Sequence, residues 1–172
     1  MKKLLLIMAF IVSVNAANEK DWYVGIGFIS GSGEKSISTG DTSYDTSGNE
    51  LKFGVIFEGN NRFEFSATSI NIDYVGSKST YKGRELDWIF TPNLNRADGW
   101  FLPFVSVGFG RYTTNANDST GVSVQAAIGA YLMLSPVLEV EFSYEEKAIG
   151  WSDVADSTDA MTNYNLGLKY KF

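Results

Sequence analysis

The sequence of 172 residues contains neither cysteine nor histidine. The usual general base of hydrolases is therefore missing, and so are thiolate catalysis and metal sites built from these two residue types. Exported domains of this size often use disulfides, so this chain must be held together by other means, such as a closed hydrogen-bond network. We expect no enzymatic activity, no cofactor and no metal ion.

Positive charge and long apolar runs are also scarce. Fourteen basic residues stand against 20 acidic ones, which gives a formal net charge of −6 and makes nucleic acid an improbable partner. After residue 16, no stretch provides the roughly 20 consecutive apolar residues of a membrane helix. If the chain crosses a membrane, it must do so with strands.

The first sixteen residues have the composition of a secretory signal. Lys2 and Lys3 precede an apolar run that ends at Val14, and Val14 and Ala16 supply the small residues of a cleavage site before Ala17. We predict a signal peptide over residues 1–16 and a single domain over residues 17–172.

From Asp21 onward, hydrophobicity alternates with a period of two, which places alternate side chains on opposite faces of a strand. In the clearest case, Gly121 to Leu134, one face is aliphatic throughout and the other is small or polar. The same split recurs along the chain and predicts eight strands in all. We therefore predict an all-β fold, an eight-stranded antiparallel up-and-down transmembrane β-barrel that follows a cleavable signal peptide.

The connections between the predicted strands alternate in length. Short turns follow the even strands, and longer polar segments follow the odd ones, at Gly31 to Asn49, Val75 to Gly83, Thr113 to Thr120 and Lys147 to Ala160. Short periplasmic turns and longer extracellular loops are typical of membrane barrels. Glycines on the polar face and aromatic residues at strand ends favour an aliphatic face towards lipid. A soluble periplasmic barrel that binds an apolar ligand, similar to a lipocalin, is the alternative.

The chain resembles, over its whole mature length, the small outer-membrane β-barrel proteins of Gram-negative bacteria, the group that contains OmpX and the membrane domain of OmpA. Two features carry the resemblance: the segment Pro103 to Gly110, and an alternating C-terminal strand composed of Tyr164, Leu166, Leu168, Tyr170 and Phe172. The terminal strand is similar to the assembly signal of that family. The resemblance implies a protein in the lipid of the cell outer membrane, inserted by periplasmic chaperones and the barrel-assembly machinery. We expect it to be a monomer. The enzymes among such barrels rely on a histidine, which this chain lacks.

Charged residues occupy the polar face at membrane depth, where they are costly unless paired. We expect the last two strands to pair in a register that places Glu139 opposite Lys171 and Glu141 opposite Lys169. The same interior could join Lys52, Arg62 and Arg84 to Glu58, Glu64, Glu85, Asp87 and Glu145. A structural ion-pair network is the favoured interpretation, and a gated ion path is the alternative.

The predicted loops suggest two further ideas. Asp153, Asp156 and Asp159 are spaced too openly for an EF-hand, so calcium binding has little support. Tyr44 and Tyr81, with the Ser/Thr/Gly-rich first loop, could form an adhesive surface for an unknown ligand. The leading hypothesis is a non-enzymatic outer-membrane protein that supports envelope integrity or presents surface loops. A narrow passive channel and the soluble binder remain as alternatives.

Overall fold

The computed structural model describes residues 21–37, 40–57, 60–74, 77–92, 100–115, 119–152 and 157–172. The predicted signal peptide lies outside the described residues. The described part contains eight strands: β1 Asp21–Ile37, β2 Gly40–Phe57, β3 Asn61–Tyr74, β4 Ser77–Phe90, β5 Phe101–Thr114, β6 Thr120–Ser135, β7 Leu138–Trp151 and β8 Thr158–Lys171.

The eight strands form a closed antiparallel barrel in sequence order, as predicted. β8 returns to β1 through a ladder that runs from Tyr23 opposite Lys171 to Ser36 opposite Thr158. Both ends of the described chain therefore lie at the same end of the barrel, which we call the inner end. The opposite end is the outer end. No helix in the described ranges is long and apolar enough to span a bilayer.

The strands are longer at the outer end than the hydrophobic pattern suggested. The segment Gly31 to Asn49, expected as a loop, is almost entirely strand, because β1 continues to Ile37 and β2 begins at Gly40. Most of Val75 to Gly83 and the first part of Lys147 to Ala160 are strand as well. The prediction was wrong here because Ser, Thr, Gly and Asp follow one another in these rungs. They carry no apolar alternation, although the backbone ladder continues.

The assignment of the two faces is confirmed. Aliphatic and aromatic side chains cover the outside, where Leu51 and Val122 are about two-thirds exposed. Charged side chains point inwards, and Glu139 and Lys169 are fully buried. The alternative of a soluble barrel with an apolar interior is therefore wrong.

Two apolar clusters lie inside the barrel, one at each end. Near the inner end, Phe104 and Tyr131 stack with their ring centroids 4.6 Å apart and pack with Ile89 and Leu102. The cluster at the outer end is larger and is composed of Ile29, Tyr44, Ile70, Ile72, Tyr81, Tyr112, Ile149, Trp151 and Met161. The charged side chains lie mainly between the two clusters.

Glycines make room for interior aromatic rings. Tyr112 lies directly opposite Gly83 in the ladder, and a Cβ atom on Gly83 would overlap the tyrosine ring. The same arrangement recurs at three other cross-strand pairs, which are Tyr23 with Gly54, Tyr44 with Gly33, and Phe104 with Gly129. An eight-stranded barrel has little interior volume, so each ring uses the space that its partner glycine leaves empty.

We expect Gly83→Ala to lower the free energy of unfolding by about 1–3 kcal/mol, because the added methyl overpacks the Tyr112 ring. Gly150→Ala is the matched control, since nothing lies within 4 Å of a Cβ atom there. It should change stability by less than about 1 kcal/mol, mainly through the unfolded chain. Urea titration in lipid vesicles, followed by tryptophan fluorescence, measures both. Equal midpoints for the two variants would contradict the packing argument.

Candidate functional site

The centre of the lumen holds two lysines among three glutamates. Lys52 Nζ lies 2.8 Å from Glu50, 3.3 Å from Glu64 and 2.9 Å from Glu141. Lys169 Nζ lies 2.6 Å from Glu141 and also contacts Glu64. All five side chains are buried. Each ammonium therefore bridges carboxylates that come from different strands, and the group cross-links the barrel wall from within.

A second ion group lies towards the inner end. The Arg62 guanidinium donates two hydrogen bonds to the Glu139 carboxylate, at 2.7 and 3.2 Å, and Lys171 Nζ lies 2.7 Å from the same carboxylate. The guanidinium also lies 4.0 Å from the centroid of the Tyr131 ring. Such a two-pronged contact fixes geometry more tightly than a single charge contact does.

A third group connects the charged centre to the outer apolar cluster. Lys147 Nζ lies 2.6 Å from Glu85 and 3.0 Å from Glu145. The hydroxyls of Tyr112, Ser66 and Thr68 all donate to Glu85, and the Tyr112 bond is 2.6 Å long. The Glu85 carboxylate is thus bound by a cation and three hydroxyl groups, which offsets the cost of its burial.

The structure brings together both ion pairs expected for the last two strands, at 2.7 Å for Glu139 with Lys171 and 2.6 Å for Glu141 with Lys169. The expected register is nevertheless wrong by two residues. Glu139 lies opposite Lys169, and Glu141 lies opposite Gly167. A shift of two residues leaves every side chain on the same face of its strand. The ion pairs still form because a lysine side chain is long enough to reach a glutamate that lies two positions away from its direct cross-strand partner.

The prediction of further charged residues in the interior, beyond the two pairs of the last strands, was partly wrong. Arg84 is exposed on the outer face of β4 and takes no part in the network, and Glu58 lies outside the described residues. Two interior residues were missed, Glu50 and Lys147. Lys147 begins a segment expected as a loop, and Glu50 lies between an expected loop and the first apolar residue of the next strand. Extending the period-two alternation past the predicted strand ends would have placed both inside.

Asp159 organises the outer end of the lumen. Its carboxylate accepts hydrogen bonds from the Tyr44 hydroxyl and the Tyr81 hydroxyl, each at 3.1 Å, and from Trp151 Nε1. Tyr44 and Tyr81 are therefore buried, and the expectation that they form an adhesive surface is wrong. Both occupy inward positions of strands that continue further than predicted.

The same geometry bears on the calcium idea. Asp159 is buried and already engaged by three donors, while Asp153 and Asp156 lie outside the described residues. Among the residues that the structure does describe, no group of three or more potential ligands could hold a metal ion.

Side chains fill the lumen at every level that the structure describes. The Lys52 and Lys147 groups lie between the two apolar clusters, and the Arg62 group lies beside the inner cluster, where Arg62 is opposite Ile89 and stacks on Tyr131. Between the ion groups lies a cavity of about 30 Å³, lined by residues that include Glu50, Lys52 and Asp87. This is about the volume of one water molecule. The arrangement supports the structural network over the gated ion path.

A comparison with known proteins places this geometry in context. The model of the outer membrane protein beta-barrel domain family matches residues 4–172. A search of curated proteins finds no match. Among solved structures, Neisserial surface protein A (NspA) superposes with a TM-score of 0.69 at 14% identity, over 90% of this chain and 100% of that chain.

Two other solved structures are similar. The outer membrane protein OprG from Pseudomonas aeruginosa gives a TM-score of 0.59 at 13% identity, over 88% of this chain and 95% of that chain. Ail, the attachment invasion locus protein of Yersinia pestis, gives 0.52 at 15% identity, over 90% of this chain and 100% of that chain. At these identities, the likeness establishes the fold alone.

We expect Lys169→Met to destabilise the barrel by about 3–5 kcal/mol, because it leaves buried Glu64 and Glu141 short of a cation. Lys78→Met is the control: Lys78 pairs with Asp73 at 2.9 Å on the surface, where a lost pair costs about 1 kcal/mol or less. The temperature at which the folded band disappears on a gel in SDS reports the difference. If both variants unfold at the wild-type temperature, the network does not stabilise the barrel.

Proposed function

Because the chain belongs to the outer membrane protein β-barrel family and is located in the outer membrane, we propose that it is a non-enzymatic, non-conducting barrel whose outer hairpins bind a partner outside the cell. The observation that carries the proposal is the filled lumen. With the interior occupied by side chains that bind one another, the polar groups that a partner in the surrounding water can reach are those of the hairpins. The absence of histidine and cysteine supports the non-enzymatic part.

The hairpin of β1 and β2 is the best candidate for the binding surface. Its ladder continues to Ile37 opposite Gly40, whereas β3 pairs with β2 only from Asp45 onward. The segment Gly40 to Tyr44 therefore has a strand edge that none of the described residues pairs with. Such an edge can accept an extended segment of another chain through backbone hydrogen bonds.

Charge narrows the class of partner. Asp41 and Asp45 are exposed on this hairpin, and Glu34 is exposed on its other strand. A solved structure shows Ail in complex with the heparin analogue sucrose octasulfate. The acidic character of the hairpin here disfavours a polyanion of that kind, so we propose a neutral or basic polypeptide partner.

The biogenesis of the barrel would depend on β8. Tyr164, Leu166, Leu168 and Tyr170 point outwards from this strand, and β8 closes the barrel against β1. We propose that these residues, with Phe172, form the segment that the assembly machinery and its periplasmic chaperones recognise.

In a planar lipid bilayer, the mature protein should give no unitary current steps above the leak of the bare membrane, because buried side chains occupy the lumen within the described strands. An open porin reconstituted in the same bilayer is the positive control. Reproducible steps from this chain, at a conductance that scales with salt, would favour the passive channel instead.

A hairpin-shortened variant tests the binding role. Residues 36–41 are replaced by Asn-Gly, which joins Lys35 to Thr42 and leaves the buried Tyr44 in place. In a strain that lacks the native protein, we expect this variant to restore resistance to detergent but to reduce adhesion to a cultured cell monolayer several-fold relative to wild type. A variant of the inner turn, Ser135→Thr, is the control. Adhesion at the wild-type level with the shortened hairpin would favour a purely structural role in the envelope.

A further inference from the structure

The apolar side chains on the outside of the barrel form a belt, and the border of this belt towards the outer end has one feature that the proposed function does not explain. On each strand, the first polar side chain beyond the belt marks this border. Five of these residues are neutral and one is acidic: Ser30, Asn49, Ser69, Thr120 and Thr162, and Glu146. The other two are Arg84 on β4 and Arg111 on β5. The chain carries a net negative charge, and the two cationic residues of this border are not spread around the barrel but lie on adjacent strands.

The two arginines face each other directly. Arg84 and Arg111 are cross-strand partners, and both side chains are exposed on the outside of the barrel. Side chains in such positions start about 5 Å apart, and like charges there destabilise the sheet. Lys82 lies two residues further out on the same face and is exposed as well. Three cations thus share one patch of the wall.

None of the described carboxylates neutralises this patch. Neither arginine takes part in an ion pair within the part of the chain that the structure describes. Their other ladder neighbours are Ala67 on β3 and Val122 on β6. Glu146, the acidic border residue, is on β7 and is separated from Arg111 by the whole of β6. The described part of the chain thus supplies no counter-charge for the pair, and an anion from outside the chain would provide one.

The position of the pair indicates where that charge lies. Leu86 and Phe109 form the previous outward rung, and both are exposed apolar side chains. One such rung covers about 7 Å of strand, so the guanidinium groups lie where hydrocarbon gives way to headgroups. The patch is at the outer end, and the outer leaflet of an outer membrane carries phosphorylated lipid A. Arginine binds phosphate oxygens with two parallel hydrogen bonds.

We propose that Arg84 and Arg111, assisted by Lys82, bind a phosphate of lipid A in the outer leaflet and fix one lipid against the β4–β5 wall. The acyl chains of this lipid would lie along the outward rungs below, which include Leu86, Phe109, Trp88 and Val107. The site is on the wall and is independent of the hairpins, so it does not rest on the proposed partner binding.

The test uses the mature protein in detergent micelles, titrated with bisphosphorylated lipid A and followed by native mass spectrometry. We expect the double variant R84Q/R111Q to raise the Kd for lipid A at least tenfold, because each of the two substitutions removes charge-assisted hydrogen bonds to the phosphate. R84K/R111K should be intermediate, since it keeps the charge and loses the fork. The control K35Q/K78Q removes the same charge elsewhere at the outer end and should bind as wild type does.

Two further measurements make the result decisive. Without lipid, R84Q/R111Q should melt at or above the wild-type Tm, because two opposed charges are gone, whereas lipid A should raise the Tm of wild type only. Lipid A stripped of its phosphates should bind wild type no better than it binds the double variant. An unchanged Kd in R84Q/R111Q, equal binding of the stripped lipid, or displacement of lipid A by millimolar inorganic phosphate would each overturn the proposal.

Discussion

Every backbone N–H and C=O group at membrane depth needs a partner within the chain, because hydrocarbon offers none. The seam between β8 and β1 meets this requirement, since it leaves the sheet without an edge at that depth. Closure then determines the rest of the architecture. It divides each strand into a lipid face and a lumen face. It also encloses a space that is too narrow for water to surround the charged side chains inside it. The polar side chains inside must therefore bind one another.

The interior shows how this confinement is met. Five cations and the carboxylates around them form groups in which each buried ammonium or guanidinium contacts at least one glutamate, and tyrosine hydroxyls complete the coordination of Glu85 and Asp159. Two of the rings that contribute those hydroxyls, Tyr44 and Tyr112, fit because their cross-strand partners are glycines. Glycine, tyrosine and ion pairs are thus three parts of one solution to packing a small lumen with polar groups.

The sequence predicted the strand number, the closed topology and the orientation of the faces, because all three follow from a period of two that persists at membrane depth. It failed where that signal ends. Tyr44 lies in a polar stretch without apolar alternation, and Glu50 and Lys147 lie just beyond the ends of the predicted strands, so the burial of all three was missed or misjudged. The register of β7 and β8 was off by two residues, since parity restricts a register only to steps of two. Arg84 was placed inside because its charge was given more weight than its position on β4.

The Asp159 carboxylate has a consequence for how this surface can change over evolutionary time. It binds Tyr44 from the first outer hairpin, Tyr81 from the second and Trp151 from the fourth, while itself belonging to β8. Three hairpins are thereby tied together beneath their tips by one buried acid. The tips can then be replaced, lengthened or diversified, because the buried acid below them holds the base of all three hairpins in place.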